Sequence, residues 1–80
     1  MFNVLIDNIM PPIIFNKLNN HCRFKNINGL IFKPISFNES KNEITVEVYL
    51  KNGNYSHPET WDDLNTTIVA FQIGEYLFID

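Results

Sequence analysis

Eighty residues, 45% hydrophobic and 14% aromatic, are enough for one small domain over residues 1–80 and exclude a disordered chain. The single Cys22 excludes an internal disulfide framework and fits a reducing compartment. The opening MFNVLIDNIMPP lacks the basic start of a signal peptide, and no apolar run approaches the ~18 residues of a membrane span, so a cytoplasmic protein is expected.

In chain order, FNVLID reads as a short apolar strand. PPIIFNKLNN follows as a helix, because proline suits a first turn whose N–H groups have no partner anyway. Ile14, Leu18 and Phe15 would form its inward stripe, and Asn19-Asn20 its stop. CRFKNI is the first arm of a hairpin turned by Asn28-Gly29, a dipeptide suited to a two-residue turn with positive φ at both positions. LIFKPISF returns, with Pro34 marking an edge or a bulge because it cannot donate to a ladder. In EITVEVYL the period is two: Ile44, Val46, Val48 and Leu50 face one way, and Glu43, Thr45, Glu47 and Tyr49 the other. Asn52-Gly53 is a second turn of the same kind, with NYS as a short return arm.

Residues 56–64 carry helix signals. Ser56 and Glu59 have capping-box spacing, and Pro58 falls in the first turn. Thr60 and Asp63 offer a second, later box, while Trp61 and Leu64 would face inward together. The chain ends in TTIVAFQIGEYLFID, read as a hairpin about a Gly74-Glu75 type II′ turn. Both faces of that hairpin are apolar, so both should be covered. The expected fold is α+β: a small, mostly antiparallel sheet of about five strands, one N-terminal helix and one short helix before the last hairpin. A small β-barrel is the alternative.

Charge is uneven. Residues 1–52 hold all six Lys and Arg against four acids, whereas residues 53–80 hold five acids and no Lys or Arg; the net is −3. An acidic end disfavours nucleic acid at that surface and suits a basic partner. Arg23-Phe24-Lys25 is the best local nucleic-acid candidate, but the other basic residues are dispersed and the chain as a whole is acidic, so nucleic acid is set aside. His57, Glu59, Asp62 and Asp63 show no zinc spacing, and the side chains of His21-Cys22 would point apart on a strand. His57 could serve as a general base and Cys22 as a nucleophile, but no catalytic, phosphate-loop or cofactor motif accompanies them. So short a chain leaves little room for a concave pocket. The expectation is no enzyme, no cofactor and no metal.

What remains is a contact surface built from Tyr55, Glu59, Trp61, Asp62, Asp63, Glu75 and Asp80. The expected function is a small inhibitor that neutralises a basic protein partner. An immunity protein against a nuclease-type toxin, or a phage-encoded inhibitor of a host defence complex, has this profile. The alternatives are an assembly subunit that forms a homodimer or larger oligomer through the C-terminal hairpin, and a small enzyme or nucleic-acid module.

Overall fold

A computed structural model describes residues 11–80; the strand expected over FNVLID lies outside them. The elements are α1 (Pro11–Asn19), β1 (Phe24–Asn26), β2 (Ile31–Asn38), β3 (Glu43–Tyr49), β4 (Tyr55–Trp61), α2 (Leu64–Gln72) and β5 (Tyr76–Phe78). The five strands form one antiparallel sheet in the order β4-β3-β2-β1-β5. The α+β class, the five strands and the two helices, one N-terminal and one before the last strand, agree with the sequence. The sheet is open, so the barrel alternative is wrong.

Alternation decides which face is buried. Phe24, Phe32, Ile44, Val46 and Val48 point from the sheet toward Ile14 and Leu18 of α1 and Leu64, Ile68 and Phe71 of α2, and together they make the core. Phe24, with no exposed surface, has the rings of Phe32, Trp61, Phe71, Tyr76 and Phe78 around it at 4.9–6.2 Å. Such pairs add about 0.5–1.5 kcal/mol each beyond the area they bury. The sheet curls strongly around this cluster. Trp61 of β4 and Tyr76 of β5 belong to opposite edges, yet their rings stack at 5.8 Å.

Pro34 produces the bulge expected of it: the β2–β3 register shifts between Pro34 and Ser36, and β2 lies inside the sheet. Pro58 lies in β4 opposite Glu47. An edge strand tolerates proline at positions whose N–H would face away from the ladder.

Three local assignments differ from the sequence reading. Residues 55–61 are strand, not helix. The Ser56 hydroxyl is spent on His57, and the Glu59 carboxylate on His57 and Trp61, so no capping box forms. The helix begins one element later, where Asp63 caps α2 by accepting from the Thr66 amide at 3.2 Å and the Thr66 hydroxyl at 2.8 Å. Leu64–Gln72 is therefore helix and not a hairpin arm; Leu64, Thr67, Ile68, Ala70 and Phe71 make its buried side, and the cover expected on both faces of this segment is absent among the described residues, where Val69, Ile73 and Leu77 stay exposed.

Gly74 turns no hairpin. With φ +87° it ends α2 in a Schellman cap: the Glu75 amide donates to the Ala70 carbonyl and the Gly74 amide to that of Phe71. The Asn-Gly pairs do turn hairpins, but through three-residue loops in which only the glycine takes positive φ. Asn26 and Asn52 supply side-chain carbonyls that accept from amides two residues on.

Candidate functional site

The end of β4 and the turn into α2 bring together four of the seven expected contact residues. Register places His57, Glu59 and Trp61 on the same face as Val48, Val46 and Ile44. Trp61 packs against the core, whereas His57 and Glu59 lie beyond the cover of the helices, with side chains 50% and 42% exposed. The three form a row of bonds along the strand. The Ser56 hydroxyl meets His57 Nδ1 at 2.8 Å, His57 Nε2 meets Glu59 Oε2 at 2.7 Å, and the Trp61 indole N–H donates to Glu59 Oε1 at 2.8 Å. The indole, then the imidazole, hold the Glu59 carboxyl below its ordinary range.

A serine, a histidine and a carboxylate in sequence suggest a nucleophile with its base. Here the serine and histidine are chain neighbours on an open strand, in water. In chemical terms the row offers acceptor oxygens and an aromatic ring to a partner.

Asp62 and Asp63 follow at once and line a shallow groove of about 410 Å³ with Trp61, Thr66, Thr67 and Tyr76. Asp63 is spent on the helix cap; its bonds to Thr66 hold its carboxyl below the ordinary value. Asp62 makes no side-chain hydrogen bond or ion pair among the described residues. Tyr76 closes the groove by stacking on Trp61, and its hydroxyl is raised in pKa first by burial and then by the nearby Glu75 and Glu59 carboxylates. Tyr76 and Thr66 were not foreseen as part of this surface. No local signal marks them, because the curl of the sheet creates the neighbourhood.

The other three expected residues lie outside this group. Tyr55 sits at the other end of β4 on the opposite face, with its ring 5.5 Å from Tyr49. Asp80 lies beside the start of β1, where its carboxylate accepts from the Arg23 amide and from Nε and Nη2 of the Arg23 side chain at 2.8–2.9 Å. That pairing pulls the Asp80 carboxyl down to about 2 and raises Arg23. Glu75 directly precedes Tyr76 and lines a second groove with Lys25, Ile27 and Leu77.

Among the described residues, no group of three or more His, Cys, Asp or Glu is gathered as a metal site. No helix among them is long and apolar enough to cross a membrane. Comparison with protein-family models, with curated proteins and with solved structures gave no match. Fold and site together define a class: a small α+β domain with a curled, open antiparallel sheet and an acidic, aromatic ridge where its edge strand meets a helix.

Proposed function

We propose that the chain is a non-enzymatic, cytoplasmic inhibitor that neutralises a basic protein partner through this ridge. An immunity protein for a nuclease-type toxin, or a phage-encoded inhibitor of a host defence complex, would act in this way. The observation that carries the reading is the setting of Glu59 and Asp62 beside the stacked Trp61 and Tyr76, with Glu75 next to Tyr76 in the chain, in a segment without Lys or Arg. Aromatic anchors supply contact energy, and an acidic rim steers a basic partner and speeds association. The ligand-binding part of such a partner would be a basic groove that otherwise receives nucleic acid.

The homo-oligomer alternative rested on a two-sided C-terminal hairpin. Residues 64–72 are helix α2, and its buried side packs in the chain's own core.

The test begins with co-purification from host lysate at low and high salt, which identifies the partner. Asp62→Lys with Glu75→Lys then reverses two charges that hold no internal bond among the described residues. Association should slow by about tenfold or more at low salt, and less at high salt. An association rate unchanged by the double reversal would remove the ridge from the interface.

A further inference from the structure

The sheet face opposite the helices carries a second, chemically different surface. Register places Lys25 and Ile31 side by side on it, then Lys33 beside Glu47, with Tyr49 and Tyr55 beyond. Nothing covers this face among the described residues. A cavity of about 450 Å³ opens there, lined by His21, Arg23, Ile31, Lys33, Tyr49, Gly53 and Asp80. That volume lies in the range of small-ligand sites.

His21, Arg23 and Tyr49 of this cavity are each held in place by a bond. His21 Nδ1 lies 2.8 Å from the Pro34 carbonyl; a carbonyl only accepts, so Nδ1 donates and Nε2 is left for another partner. Arg23 is clamped by Asp80, and the Tyr49 hydroxyl donates to Glu47 at 2.9 Å. His21 also occupies a strained position. It stands at φ +60° in the cap that ends α1, where the Cys22 amide donates to the Lys17 carbonyl and the His21 amide to that of Leu18. Glycine is the usual residue there, because a side chain is disfavoured in the left-handed region. A strained, oriented ring at the rim of a cavity points to a site.

Charge and shape select the ligand. Lys25, Lys33 and Lys51 make no ion pair among the described residues, and Lys51 lies across Gly29 at the hairpin end of the sheet. Of the acids on this side, Asp80 is paired with Arg23 and Glu47 accepts from Tyr49, while Glu43 stands at the far end of β3, opposite Asn38. Tyr55 is 52% exposed and meets Tyr49 edge to face. Unpaired cations beside exposed aromatic rings on an open sheet suit a phosphate that carries a base.

We propose that this face binds a nucleoside phosphate, free or within a single strand, with the phosphate at the unpaired Lys33 and the base on Tyr55 and Tyr49. The site lies on the opposite face from the acidic ridge and does not rest on the reading given to that ridge.

The test is a fluorescence-anisotropy titration of the full chain against a labelled oligothymidylate of about a dozen nucleotides, competed with free thymidine monophosphate. Saturable binding is expected, weakened about fivefold or more by Tyr55→Ala. Lys33→Gln should lower the slope of log affinity against log salt by about one. His21→Gly relieves the cap and should leave folding intact while weakening binding. Competition by the mononucleotide at matching concentrations would assign the site to free nucleotides; failure to compete would assign it to strands. Absence of saturable binding of either probe up to about 1 mM, a concentration that corresponds to very weak affinity, would overturn the proposal. So would binding unaltered by both Tyr55→Ala and Lys33→Gln.

Discussion

Replacing Phe24 by leucine tests the claim that one ring organises this core. Phe24 has no exposed surface and five aromatic neighbours. Leucine keeps the site apolar and nearly fills it, and a swap of that kind alone costs under about 1.5 kcal/mol. The aromatic pairs go as well, at about 0.5–1.5 kcal/mol each and less than additively. The expected cost is about 2–3 kcal/mol, a large share of the roughly 4–12 kcal/mol that a chain of this size holds. At about 4–8 °C per kcal/mol, the thermal midpoint should fall by at least 8 °C. Phe15→Leu is the control: its ring is partly buried and has one aromatic neighbour, Phe37 at 5.4 Å. Its expected cost is below about 1.5 kcal/mol. Thermal melts followed by circular dichroism compare the two. Equal shifts would refute the reasoning, because neither the full burial of Phe24 nor its five aromatic neighbours would then add to the cost.

Asp63→Ala removes the cap of α2 and should cost about 1 kcal/mol, a drop of about 4–8 °C, with Asp63→Asn recovering most of it; an unchanged midpoint would show that the cap bonds carry no net stability. Acid sensitivity has a defined window. The Asp80 carboxyl, ordinarily 3.8, is held at about 2 in the folded chain by Arg23, so its contribution is present above pH 4 and lost as pH falls toward 2. Asp80→Asn should flatten the fall of the thermal midpoint across that window, leaving the smaller slopes due to Glu59 and Asp63, whose values are also lowered. An unaltered slope would remove Asp80 as a source of acid sensitivity.

The first half of the chain was legible because its signals are local. Pro11 and Pro12 open a helix with Ile14 and Leu18 inward, and the period-two run Glu43–Tyr49 is a half-buried strand. Between residues 55 and 75 local preference and packing conflict. Thr66, Thr67, Ile68 and Val69 are β-branched, stiff residues that individually disfavour helix slightly. They are helical because Leu64, Ile68 and Phe71 share one face of α2 and close the core against Phe24. Ser56 and Glu59 imitate a cap by spacing alone, and nothing in the spacing reveals that their oxygens bind His57 and Trp61 instead.

The two surfaces differ in the same way. Glu59, Trp61, Asp62 and Asp63 are contiguous, so the ridge could be read from the chain. Lys25 and Lys33 stand apart in sequence. Strand pairing sets them on one face, and it also creates a cavity, lined by Arg23 and Lys33, that the length of the chain argued against.

Pro58 has a consequence for how this sheet behaves in a crowded solution. An outer strand normally presents a row of free amides along which another chain can zip, and that is a route to aggregation. Pro58 leaves a gap near the middle of β4, between residues that could each still donate. A second strand laid along the gap would strand one of its own carbonyls. Neighbouring copies are thereby discouraged from fusing into a continuous sheet along β4.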